Sequence, residues 1–204
     1  MFLLRRPSPS AIDRFLRDSQ DLELSYYPVG IVNQLHHRNL SESIVAVGKG
    51  RAEFERARAA LMAWKQSNIG WMEIFPKEPP AVGRVVVILA RHLGFWSLNA
   101  CRVLYFVGNP GEMCFGFAYG TLTSHSVAGE ELFEVFLDEH DDVMFRIRAV
   151  SWPHALLARI GWPFTRRLQV RFRRNSAAAL KQVHDCAVPF PASVDGELSR
   201  RNSF

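Results

Sequence analysis

Tyr119, Thr121, His125, Glu130 and Glu131 fall within one short stretch of the chain, with Arg102 and Tyr105 a little before it. A histidine titrates near neutrality and a partly buried glutamate can be tuned towards it, so His125 or Glu131 is a candidate acid or base. Arg102 and the tyrosines could orient a ligand carboxylate or carbonyl. Against this stands a structural account, because a buried arginine needs a partner and Glu130 or Glu131 is the nearest choice. Neither a nucleophile elbow nor a catalytic triad order is visible, and no pair of residues has metal-ligand spacing. His36 and His37 are adjacent and in extended chain point to opposite sides, which suits solvent better than a shared ion.

Those residues must be positioned by a sheet. From Gly70 onwards the apolar pattern has a period of two, predicting strands at 71–75, 85–92, 97–107, 114–122, 130–137 and 143–150. Turn chemistry at Pro79-Pro80, Asn109-Pro110-Gly111, Ala128-Gly129 and Asp141-Asp142 makes consecutive strands antiparallel. In 114–122 the alternation puts Phe115, Phe117, Tyr119 and Thr121 on one face and Gly116, Ala118 and Gly120 on the other. The bare face calls for a close-packed element, a bend or a ligand. Phe117 and Trp71 are candidates for lining an apolar pocket beside the polar residues.

Helices flank the sheet. Ser8 or Ser10 caps a short one with Ile12, Phe15 and Leu16 on its apolar face, and Gly50 opens another in which Phe54, Ala57, Leu61 and Trp64 recur at helical spacing. Residues 24–32 read as a strand, and 36–50 as a polar loop. Two helices are predicted near the end, at 154–160 and over 165–183, the longer one with Leu168, Phe172, Ser176 and Leu180 facing the sheet. The reading is one α+β domain over 1–188 and a disordered basic tail over 189–204.

With 204 residues, 48% of them hydrophobic, the chain can bury a large core. The net charge of +5 is concentrated in the arginines between Arg159 and Arg174, which reads first as a solvated helix face. Three cysteines without a C-x-x-C spacing point to neither a disulfide framework nor zinc, and to a reducing, cytoplasmic setting. Arg91 and His92 interrupt the longest apolar run, so no membrane span is predicted. Gly48-Lys49-Gly50 lacks the remainder of a phosphate-loop pattern, and no cofactor is expected.

Several segments together resemble one family. They are Ser25-Tyr26-Tyr27-Pro28-Val29-Gly30, Gly48-x-Gly50, Cys101-Arg102-Val103-x-Tyr105, Gly116-Phe117-Ala118-Tyr119-Gly120-Thr121-Leu122, His125 and Gly129-Glu130-Glu131-x-Phe133. The combination resembles the uncharacterised protein family 0548 over about residues 12–183. Gly83, Arg91, Gly94, Ser151, Pro153 and Gln169 also match, while Trp152 stands where the pattern has a basic residue. The resemblance implies no established activity. More remotely, small helices, antiparallel strands and a long C-terminal helix look like the helix-grip fold of lipid-transfer proteins and polyketide cyclases, whose curved sheet wraps the helix around an apolar cavity.

The leading expectation is therefore a hydrophobic small molecule bound between sheet and C-terminal helix. The alternative is an enzyme of cyclase, dehydratase or hydrolase type using the same pocket. A third class, ranked last, is an interaction module whose arginine-rich helix meets nucleic acid or an anionic membrane, of which peripheral membrane contact is the more plausible.

Overall fold

A computed structural model describes residues 1–92, 94–109, 111–153 and 162–181, with the backbone alone for 162–165. The helix expected at 154–160, the last two residues of the helix expected over 165–183, Cys186 and the tail lie outside the described residues. Strands β1 (Phe2–Leu3), β2 (Leu40–Lys49), β3 (Met72–Phe75), β4 (Val85–His92), β5 (Phe95–Val107), β6 (Cys114–Thr121), β7 (Val127–Leu137) and β8 (Asp142–Pro153) form one antiparallel sheet in the order β2-β8-β7-β6-β5-β4-β3. The short β1 pairs with β5 at Ser97 and Trp96, a stretch of β5 that extends past its register with β6. Helices α1 (Pro9–Asp18), α2 (Gly50–Met62) and α3 (Trp162–Lys181) complete the α+β fold.

Two layers cover the sheet. On the concave face, Phe54, Leu61 and Trp64 from α2 and its end pack with Phe117, Tyr119, Phe133, Phe145 and Ile147, and Phe172 and Leu180 of α3 close the same core. On the convex face, Tyr26, Ile31 and Val32 pack on Ala118, Leu132 and Val150, while α1 covers Val87, Leu89 and Leu98. The two sides of β6 behave as their alternation predicts. A Cβ on Gly120 would lie 2.6 Å from the Tyr26 hydroxyl, and one on Gly116 would lie 2.3 Å from the Phe133 carbonyl oxygen. Close packing, with no room for a ligand, is what the small residues of this strand serve.

The sequence reading needs two corrections here. Residues 24–32 form no strand: Pro28 follows a cis peptide, Gly30 takes φ +83°, and Leu24 makes a single bridge to Leu122. A proline has no N–H for a ladder, which is why this apolar run fails as a strand. Conversely, the expected loop contains β2, an edge strand paired with β8 from Leu40↔Val150 to Lys49↔Asp142. Its half-exposed, Ser- and Glu-bearing face masked the β-branched Ile44, Val45 and Val47. The turn placed at Ala128-Gly129 also shifts earlier, since β7 begins at Val127.

Candidate functional site

The polar stretch is divided by the sheet it belongs to. Glu130 and Glu131 are consecutive in β7, so their side chains leave on opposite faces.

On the convex face Glu130 is 2% exposed and receives three hydrogen bonds. The Tyr26 hydroxyl donates to Oε2 at 2.5 Å, the Gly30 N–H to the same oxygen at 2.9 Å, and the Tyr105 hydroxyl to Oε1 at 2.7 Å. Burial and the neighbouring Glu130 push both tyrosines well above the usual phenol range. These are groups locked as hydrogen-bond donors. Arg102 stands on this face too, opposite Gly120, and donates to the Gln20 and Leu22 carbonyls at 2.7 and 3.0 Å. The anticipated ion pair of Arg102 with Glu130 or Glu131 is absent, because the chain before β2 supplies carbonyl acceptors and Tyr26, Tyr105 and Gly30 take the Glu130 carboxyl.

On the concave face Tyr119, Glu131, Ala149 and Ser41 lie side by side across four strands. The Tyr119 hydroxyl donates to Glu131 Oε2 at 2.7 Å. Arg173, from α3, donates to Ser41 Oγ at 3.1 Å and lies close enough to Glu131 for its charge to be felt. Desolvation raises the Glu131 carboxyl to about 7, against the opposing pull of the Tyr119 hydrogen bond and the Arg173 charge. The same burial takes Tyr119 well above its ordinary value. One turn earlier on the helix, Gln169 donates to Ser151 Oγ at 3.0 Å, so two family-pattern positions meet and pin α3 to β8.

Between this row and α3 lies a cavity of about 590 Å³. Trp71, Ile88, Ala90, Phe95, Leu168 and Phe172 supply its apolar wall, and Glu131, Tyr119, Thr121 and His125 reach it from the polar side. Phe117 lies beneath, edge-on to Trp64 at 5.0 Å in the core, and is not among the lining residues. His125 Nδ1 accepts the Val127 N–H at 2.9 Å, which orients the ring within its turn. Thr121 Oγ1 is engaged by Ser25 at 2.6 Å and by both backbone groups of Gly129. A second polar line, His92 to Ser97 at 2.8 Å, Ser97 to Asn99 at 3.0 Å and Asn99 to Ser126 at 3.2 Å, runs along the cavity wall. Burial lowers the His92 pKa, favouring a neutral ring.

Four of the anticipated polar residues thus meet at the cavity: Tyr119, Thr121, His125 and Glu131. Arg102 and Tyr105 do not, and Glu130 borders the cavity while its carboxyl is taken by Tyr26, Gly30 and Tyr105. Arg173 and Ser41 were missed. The spacing of Gln169, Arg173 and Ser176 on one side of α3 was the available signal.

A domain of unknown function, DUF1990, matches residues 25–179. The chain also shares 33% identity over 202 residues with a UPF0548 protein of Deinococcus radiodurans, spanning 91% of this chain and 100% of that one. The chain belongs to the UPF0548 family. Another relative, the UPF0548 protein At2g17695 of Arabidopsis thaliana, is 31% identical over 71% of this chain and 73% of its own length. Among solved structures, TTHA0849 from Thermus thermophilus superposes with a TM-score of 0.51 at 8% identity, covering 71% of this chain and 95% of that one. Hypothetical protein jhp0584 from Helicobacter pylori gives 0.50 at 10% identity, over 70% and 84%. Likeness at these identities concerns fold alone. The curled antiparallel sheet gripping a C-terminal helix is the helix-grip arrangement, and the family and fold resemblances read from the sequence both hold.

Proposed function

We propose that this UPF0548 protein binds an apolar small molecule between the concave sheet face and α3, with the ligand's polar end at Tyr119 and Glu131. The observation that carries the reading is the cavity of about 590 Å³ walled by aliphatic and aromatic side chains, with an ionisable pair set into its polar side. Pockets of this size and lining take ligands by burying most of their surface while a few placed polar groups fix orientation. A Glu131 carboxyl near neutrality can be proton donor to a ligand carbonyl or hydroxyl, or acceptor from one, without a large energetic penalty. Native mass spectrometry of protein purified from cells tests this. A noncovalent small molecule retained in the native spectrum and lost on denaturation supports the reading, and extraction of it reveals its class. A chain that stays apo, and gains no mass when mixed with a panel of fatty acids, sterols and aromatic polyketides, would remove the carrier function.

The second reading is catalytic. Glu131 raised to about 7 sits where general acid–base chemistry at neutral pH is efficient, which favours an enzyme of cyclase, dehydratase or hydrolase type. Chemical change in the extracted or added ligand, abolished by Glu131→Gln, separates the enzyme from the carrier.

A further inference from the structure

The mouth of the cavity carries features that the ligand itself does not require. Phe2 and Leu4 belong to the cavity lining yet are 46% and 89% exposed. The same helix that lines the cavity with Leu168 and Phe172 presents on its outer face Val170, 50% exposed, together with exposed Arg167, Arg171 and Arg174. From Trp162 to Lys181 this helix contains no Asp or Glu. Among the described residues no carboxylate lies within ion-pair distance of Arg167, Arg171 or Arg174, whereas Arg6, just after β1, and Arg148 in β8 are paired with Glu73 and Glu42. Arg171 instead lies over the ring of Trp71 at 5.1 Å, at the cavity wall. Isolated exposed apolar residues are ordinary, but Phe2 and Leu4 rim an apolar cavity whose wall at Trp71 also carries the uncompensated charge of Arg171.

We propose that this rim docks on an anionic lipid bilayer, α3 meeting the headgroups with its arginines while Phe2 and Leu4 enter the interface and open the cavity to the membrane. The inference rests on the ligand reading above for its purpose and on the surface for its evidence. Positive charge alone would suit nucleic acid equally. The exposed Phe2 and Leu4 at the cavity edge, beside Arg171 over Trp71, favour a bilayer, whose interface accepts both. The arrangement lets an apolar molecule pass between membrane and cavity without crossing water.

The test is cosedimentation of the full chain with vesicles of phosphatidylcholine alone or of phosphatidylcholine mixed with phosphatidylserine, at low and high salt. Binding to the anionic vesicles only, weakened by salt, is expected. Arg167→Ala and Arg174→Ala should each weaken it roughly fivefold, the worth of one basic residue near such a surface, and Leu4→Glu should reduce it further. Equal binding to both vesicle types, no binding to either, or arginine-dependent binding to RNA with none to vesicles would each overturn the proposal. Uptake of N-phenyl-1-naphthylamine without vesicles, measured on the same variants, keeps the two readings apart. Probe uptake without vesicle binding removes the docking surface and leaves the cavity reading standing, while vesicle binding without probe uptake removes the cavity reading.

Discussion

Glu130 and Glu131, one position apart in β7, show how differently two faces of a sheet can use the same side chain. The convex face surrounds Glu130 with donors from two segments, Tyr26 and Gly30 of the chain before β2 and Tyr105 of β5, and leaves it 2% exposed. Among the described residues, the concave face gives Glu131 one hydrogen bond, from Tyr119, and opens it to the cavity. A carboxyl whose acceptor capacity is consumed by buried donors holds structure together. One with capacity to spare beside an apolar space can meet a ligand, at the cost of its desolvation.

The largest effect should come from Glu130→Ala, which strands two tyrosine hydroxyls and the Gly30 N–H in the interior. With each unsatisfied donor costing about 1–3 kcal/mol, a loss on the order of 4 kcal/mol is expected in urea unfolding. Glu131→Ala, measured at pH 5, should cost less than half as much. Equal losses would break the distinction between the two faces.

Gly120→Val attacks the convex network from the other side. The Cβ would meet the Tyr26 hydroxyl at 2.6 Å and push that ring away from Glu130, so a loss of roughly 3 kcal/mol is expected from overpacking together with the broken hydrogen bond. A variant as stable as the parent would mean that Tyr26 is dispensable to the fold.

The concave glutamate is sharpened by pH. Its folded pKa, raised to about 7, lies above the unfolded value, so the folded state holds the extra proton and stability falls as pH rises between the two. Relative to the parent, Glu131→Gln should therefore gain about 2 kcal/mol on going from pH 4.5 to pH 8, somewhat under the full equivalent of the shift because the cavity admits solvent. Parallel stability curves for parent and variant would show that Glu131 titrates as in water.

Much of this was legible before any coordinates. The period of two in β3 to β8, the bare face of β6 and the amphipathic α3 follow from residue spacing. The division of Glu130 from Glu131 follows from the same alternation and was there to be read. Other features depend on tertiary placement. Nothing local says that Tyr26 arrives over Gly120, or that Arg102 finds carbonyls of the chain before β2 in place of a carboxylate. Arg173 was hidden among arginines that face solvent, and only its helical relation to Gln169 and Ser176 distinguished it. The strand reading of 24–32 overweighted apolar content against Pro28 and Gly30, and β2 was overlooked because an edge strand tolerates serine and glutamate.

The account turns on the cavity being a ligand site, and titration with N-phenyl-1-naphthylamine tests that most directly in the parent and in Ala90→Trp, whose indole would fill the apolar wall. Saturable binding by the parent, and binding at least about tenfold weaker in a variant that unfolds at a similar urea concentration, is the expected result for a site that works by apolar burial. Equal affinity in the two proteins, or no binding by the parent, would contradict it.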